Sequence, residues 1–415
     1  MPMSFQVKRW TLLLTMAAMP AAAADLPVAK PEQVGLSTER LQRIRQMLER
    51  RIEEQHIAGA VMLVARHGKV AYLESVGQMD VEQKKPMQKD TLFRLASMTK
   101  PITSVAVMML YEEGLFNLDD PISKYIPEFS GPRVGIGKEG NAILTEPAKR
   151  EISIRHLLTH TAGLVTRSNG WAKEEFGKLE DEMRPNGLIE DYTKRLAKLP
   201  LNVNPGTTWE YGPSTDVLGY FIELMSGMKF DEFLRKRIFT PLDMQDTFFN
   251  VPAEKLARLA KIYGRDETTK KLQPVVSRNQ ERTNVKFLSG AGGLVSTATD
   301  YFRFAQMTLS GGKFNGAQLL SRKSTELMAT DHVGPLTNGQ SRTSFGLGYR
   351  VRQSTGGVGS IGSAGTYGWN GAFETHYWVD PKEELIGILM VQMRADSGGW
   401  LRNQFQTMTT AAIVE

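Results

Sequence analysis

Ser97 and Lys100 stand three residues apart in "RLASMTKPITSVAVMMLYEEG". On a helix that starts at or near Ser97, this spacing puts both side chains on one face, with Cβ atoms about 5–6 Å apart. A serine hydroxyl beside a lysine amine becomes a nucleophile when the amine accepts its proton. A helix N-terminus stabilises developing negative charge, and an apolar surround favours a neutral, proton-accepting amine. Pro101 agrees with the placement, since Pro is tolerated in a first helical turn, where its missing N–H had no partner. The competing reading is an N-cap Ser followed by a surface Lys, and the dyad alone does not decide. Such a nucleophile normally works with a further group that relays its proton. Tyr211, in "WEYGPSTDVLG", lies in a turn-rich loop directly before a helical pattern. A nearby cation such as Lys100 would ease its deprotonation. Taken singly, Tyr211 also reads as a ring that caps the core.

Other chemistries find weaker support. His156 and His160 in "HLLTH" have the i, i+4 spacing of zinc ligands, but the Glu of the H-E-x-x-H signature is missing. The chain has no Cys, which excludes thiolate catalysis, thiolate metal sites, disulfides and a Cys-linked lipid anchor. No Gly-x-Ser-x-Gly elbow occurs, which argues against an α/β-hydrolase. The glycines of "GGVGSIGSAGTYG" lack the Gly-Lys-Ser/Thr ending of a phosphate loop and read as turns before a strand. No metal and no cofactor are expected.

The elements that must position the dyad are partly readable. Leu41, Ile44, Met47, Leu48 and Ile52 recur at three and four, an amphipathic helix with Ser37 or Thr38 as its N-cap. "AGAVMLVARHG" and "KVAYLESVG" read as a hairpin turning near His67 and Gly68. The segment after Ser97 is apolar nearly all round, as a buried helix is, and Gly114 ends it. "SIRHLLTHTAG", "STDVLGYFIELMSG", "FDEFLRKRIF" and "PAEKLARLAKIYG" read as shorter helices. "FSGPRVGIGKEGN" and "LPLNVNPGTTWEYG" read as loops. Thr297 and Asp300 form a capping box for a helix entered from the Gly-rich "FLSGAGG". "SFGLGYRVRQ", "GAFETHYWVD" and "EELIGILMVQM" read as strands, and "LRNQFQTMTTAAIV" as a closing helix. The expected fold is α+β: one antiparallel sheet assembled from both termini, with a helical lobe inserted.

A chain of 415 residues suits two lobes around a shared core. Lys and Arg outnumber Asp and Glu by 51 to 45, spread without the basic stripe that a nucleic-acid surface needs. "MPMSFQVKRW" followed by "TLLLTMAAMPAAAA" has the basic, apolar and small-residue parts of an export signal, with cleavage after Ala24. That apolar stretch is too short to span a bilayer. An exported protein, periplasmic or secreted, without a membrane anchor is expected.

The motifs together resemble the serine β-lactamase and penicillin-binding protein superfamily, in its class C-like branch and the family VIII carboxylesterases that share the fold. The resemblance rests on "RLASMTKPITSVAVMMLYEEGLFNLDDPISKYIPEF", "IRHLLTHTAGL", "NPGTTWEYGPSTDVLG", "GAGGLVSTATDYFRFAQM" and "YGWNGAFETHYWVDP", in that order over residues 35–395. The patterns above set a signal peptide over 1–24, an α/β domain over 25–95 and 286–415, and a mostly helical domain over 96–285, and the resemblance puts the active site in the cleft between the two domains. The resemblance implies Ser97 as nucleophile, Lys100 and Tyr211 as its proton-handling partners, and the backbone N–H groups of Ser97 and Ala372 as the oxyanion hole. Pro213 stands where class C enzymes carry an Asn, leaving Ser214 or Asp216 to replace that amide. Trp369, Asn370 and Gly371 stand in place of a Lys-Thr-Gly motif, and esterases of this branch also carry Trp there. Lys at that position brings charge toward a substrate carboxylate, whereas Trp brings a flat apolar wall. The substitution favours a small neutral ester over a β-lactam or D-Ala peptide without forbidding β-lactam acylation. Tyr367 and Phe373 are expected to close the substrate cleft. A β-lactam- or D-Ala-directed enzyme is the runner-up.

Overall fold

The computed structural model describes residues 26–275, 282–337, 343–356, 359–394 and 399–415. The expected leader over 1–24 lies outside the described residues. Among them, no helix is long and apolar enough to cross a membrane.

The sheet has eight antiparallel strands. The first three are β1 (Gly59–Arg66), β2 (Lys69–Asp80) and β3 (Lys85–Pro86). From the C-terminal part come β4 (Thr343–Phe345), β5 (Arg350–Arg352), β6 (Tyr367–Asn370), β7 (His376–Asp380) and β8 (Leu385–Val391). Their order across the sheet is β4-β5-β6-β7-β8-β1-β2-β3, so β8 pairs with β1 and joins the two ends of the chain. β1 is buried along its whole length. Because successive side chains point to opposite faces, Ala60, Met62 and Val64 join one core while Val61, Leu63 and Ala65 join the other. The first core is closed by α1 (Thr38–Glu53) and the C-terminal helix Trp400–Thr410. Ser37 caps α1 by accepting the Arg40 N–H, as its sequence pattern predicts.

On the other face lies α2 (Thr99–Glu112), every residue of which from Thr99 to Leu110 is buried. A helix apolar all round stabilises itself only by packing on every side, and Gly114, at φ 73, ends it. α3 (Ser214–Ser226) packs beside it, and α4 (Ala298–Leu309) covers the sheet. Thr297 caps α4 through the Asp300 N–H. Only half of the expected capping box forms, because the Asp300 carboxylate turns instead to the Asp246 N–H and the Thr247 hydroxyl.

Three further expectations need correction. "GPRVGIGKEGN" is no loop: Arg133–Glu139 pairs with Ala142–Pro147 as a hairpin with a register shift between Gly135 and Gly137. Of "PAEKLARLAKIYG", only Ala253–Arg258 is helical, as a 3-10 turn, and Tyr263 already lies in a short strand. Within "SFGLGYRVRQ", one strand becomes the β4–β5 hairpin, turned at Gly346 to Gly348. Two helices that the pattern reading does not name, Lys173–Asn186 and Ile189–Leu196, complete the wall near α3.

Candidate active site

Ser97 lies in a 3-10 turn, Ala96–Met98, that leads directly into α2. Ala96 before it holds φ 46, a left-handed conformation that a non-glycine residue keeps only when its surroundings enforce it. Lys100, in the first turn of α2, is 4% exposed. Its Nζ donates to Ser97 Oγ at 3.2 Å and to the Ala291 carbonyl at 2.7 Å. The Tyr211 hydroxyl donates to Ser97 Oγ at 2.7 Å, and Lys100 Nζ stands 4.6 Å from the Tyr211 ring centre. The three residues singled out in the sequence therefore form one hydrogen-bonded cluster across 114 positions of chain.

Tyr211 is held by its neighbours. Its ring meets His160 at 4.9 Å, Trp369 at 5.4 Å and Trp209 at 6.3 Å between centroids. The loop backbone is anchored by Glu210 N–H to the His160 carbonyl and by Trp209 N–H to the Leu336 carbonyl. Offset and tilted ring pairs of this kind fix orientation while contributing about 0.5–1.5 kcal/mol each.

His156 and His160 do not converge. His156 accepts the Ser153 N–H at the start of its own short helix, whereas His160 is wedged against Tyr211, Trp209 and Phe345. Burial, with the Lys100 charge adding to it, pushes the His160 imidazole from 6.5 down to about 3. The folded pKa lies below the unfolded one, so the unfolded chain takes up the proton first as pH falls. His160 therefore contributes stability that is present above about pH 6.5 and lost on acidification toward 3. His160→Asn suits the backbone, because Asn tolerates the φ of 55 found there. This variant should reduce the loss of unfolding free energy between about pH 7.5 and pH 5 by roughly 2 kcal/mol, measured by denaturant titration at both pH values. Equal losses in variant and wild type would contradict a buried, neutral His160.

Ser97 opens into a cleft of about 420 Å³, lined among others by Lys100, Tyr211, Pro213, Ala372 and Phe373. β6 runs past the end of β5, since Arg350 pairs with Gly368 and Val351 with Tyr367, and then delivers Gly371 and Ala372 beside Ser97. Gly371 has a steric reason: a Cβ there would fall 2.3 Å from the Leu95 carbonyl oxygen and 2.0 Å from Thr375 Oγ1. Any side chain would push the strand off the nucleophile.

Several expected substrate contacts are placed elsewhere. Tyr367 is buried and donates to Thr308 Oγ1, and it does not line the Ser97 cleft. Asn370, on the opposite face of β6 from Trp369, turns its side chain to His376 Nδ1 at 2.5 Å. Trp369 is 7% exposed and packs on Tyr211 and Phe345, with the Arg350 guanidinium 5.0 Å from its ring centre. It braces Tyr211 and lines the neighbouring cavity together with Tyr367 and Asn370, not the Ser97 cleft. Ser214 is buried in the first turn of α3 and does not line the cleft either. Asp216 does line it, but its carboxylate is engaged by Ser289, Ala291 and Arg184. Pro213 itself lines the cleft there.

The cleft also holds charges that the sequence reading misses. Arg167 pairs with Glu180 and Asp181, and Arg184 with Glu180 and Asp216. Both arginines face the cleft already tied to carboxylates. Ala291 is invisible to any motif search, because it acts through its backbone carbonyl.

Comparison with known proteins agrees with this architecture. The chain is 35% identical to Protein Rv1367c of Mycobacterium tuberculosis, over 81% of this chain and 86% of that one. It is 31% identical to esterase EstB of Burkholderia gladioli, over 84% and 89% of the two chains. Among solved structures, EstCE1 superposes with a TM-score of 0.77 at 26% identity, covering 91% of this chain and 98% of that one. The beta-lactamase family model matches residues 44–401, and the chain belongs to that family.

Proposed function

We propose that this protein is a serine carboxylesterase of the family VIII type, hydrolysing small neutral esters through an acyl-enzyme on Ser97. The observation that carries the reading is the Ser97–Lys100–Tyr211 cluster at the floor of an open cleft. Ser97 Oγ attacks the ester carbonyl as its proton passes to the Lys100–Tyr211 pair. The oxyanion is held by the backbone N–H groups of Ser97 and Ala372. The tetrahedral intermediate collapses, the C–O bond to the alcohol breaks, and the alcohol leaves with the proton returned through Tyr211. Water then attacks the acyl-enzyme, gives a proton to the same pair, and releases the acid and free Ser97. Lys100 and Tyr211 both reach the same Ser97 oxygen, so base and acid are roles of the pair.

The kinship with an esterase supports ester hydrolysis. EstCE1 is described as a hydrolase with promiscuous acyltransferase activity, and an alcohol in place of water would divert the same acyl-enzyme. The charges of the cleft support a preference for neutral substrates. Arg167 and Arg184, which line it, are already paired with Glu180, Asp181 and Asp216, so an incoming carboxylate would have to displace one of those partners. A panel of p-nitrophenyl esters, acetate to hexanoate, beside a chromogenic cephalosporin tests the reading. The expected ratio of kcat/KM favours the best ester by at least about a hundredfold. A ratio favouring the cephalosporin would overturn it.

A further inference from the structure

Asp216 is fully buried in the first turn of α3, and the reaction outlined above leaves it without a task. Its Oδ1 accepts the Ser289 hydroxyl at 2.6 Å and the Ala291 N–H at 3.0 Å. Its Oδ2 accepts Arg184 Nη2 at 3.2 Å, and Arg184 in turn holds Glu180. Ala291 is therefore gripped from both ends, its N–H by Asp216 and its carbonyl by Lys100 Nζ. The residue before it has no room to shift. A Cβ on Gly290 would lie 2.4 Å from the Thr215 carbonyl oxygen, and Thr103 Oγ1 donates to the Gly290 carbonyl at 2.9 Å. The 289–291 segment is thus clamped between α2, which carries Lys100, and α3, which carries Asp216.

With one N–H committed to the Ala291 carbonyl, rotation about the Cε–Nζ bond is restricted, and Nζ is held 3.2 Å from Ser97 Oγ. We propose that Asp216 is a positioning residue for this proton transfer: it sets the Ala291 carbonyl, and that carbonyl aims Lys100 at Ser97. The assignment rests on the Ser97–Lys100–Tyr211 reading. It gives Asp216 a role through the backbone, in place of the substrate contact its sequence position suggests.

The test uses the full chain with p-nitrophenyl butyrate and a p-nitrophenyl phosphonate that labels reactive serines. Asp216→Ala leaves the Ala291 N–H without its acceptor. The expected result is a kcat lower by roughly thirty- to a hundredfold, the size of effect that misplacing a catalytic group produces. KM stays within about threefold, and the rate of Ser97 phosphonylation falls in parallel. Asp216→Asn keeps an oxygen for Ala291 and should recover kcat to within about fivefold of wild type. If Asp216→Ala does not fold, Asp216→Ser carries the same expectation, because its hydroxyl stops one bond short of the Ala291 N–H. A kcat within about threefold of wild type in the Ala or Ser variant overturns the assignment, as does a loss confined to KM. So does an Asn variant as slow as the Ala or Ser variant. If wild-type Ser97 itself takes no label, the parent reading of the site fails instead.

Discussion

Ser97→Ala is expected to remove nearly all ester hydrolysis, and Lys100→Ala and Tyr211→Phe each to lower kcat by at least about a hundredfold. The basis is geometric: both partners reach the same Ser97 oxygen, Tyr211 at 2.7 Å and Lys100 at 3.2 Å. Because the three act on one proton, their losses should not add, and the triple variant should be about as slow as Ser97→Ala alone. Lys100→Ala also strips the Ala291 carbonyl of its donor, so its fold must be verified by circular dichroism before its rate is read. A folded Lys100→Ala enzyme that keeps more than half of wild-type turnover would contradict the base assignment.

The second large effect concerns position 369. Trp369→Lys should narrow the gap between ester and cephalosporin by improving KM for the anionic substrate, while ester turnover holds or drops. The physical ground is that a carboxylate entering the partly dry Ser97 cleft without a counter-charge is costly, and a Lys at 369 would bring positive charge up behind Tyr211, which lines that cleft. The structure adds two terms to that expectation. Trp369 braces the Tyr211 ring, so its loss should lower kcat for every substrate. The new ammonium would also stand beside the Arg350 guanidinium, which lies 5.0 Å from the Trp369 ring centre, and this limits how far the preference moves. The measurement is the ratio of the two specificity constants in wild type and variant at low salt. An unchanged ratio would leave esterase function standing and remove charge at 369 as its explanation.

Much of the scaffold was legible because its signals are local. The α1 cap at Ser37, the turn at His67 and Gly68, and the fully buried α2 each follow from residues within one helical turn or one hairpin. Ser97, Lys100 and Tyr211 were found by residue type and by resemblance, and the fold brings them together. What could not be read depends on the third dimension. Period two separates Trp369 from Asn370, but it does not say which face of β6 meets the cleft or how deeply Trp369 is buried. Sequence does not say which way the Tyr367 side chain points, and the packing of α4 against the sheet turns it to Thr308. The 133–147 hairpin was hidden by its glycines, which read as loop when no partner strand is known. Ala291 carries no side-chain signal at all, and the task of Asp216 appears only once the 289–291 segment is seen between two helices.

The most direct test of the central claim is covalent. The protein is treated with a p-nitrophenyl phosphonate, residual p-nitrophenyl butyrate hydrolysis is followed, and the digested protein is mapped by mass spectrometry. The expected result is one phosphonyl group per chain, on the peptide carrying Ser97, accumulating in proportion to lost activity. Complete inactivation with Ser97 unmodified, or full hydrolysis surviving stoichiometric label on Ser97, would contradict Ser97 as the nucleophile.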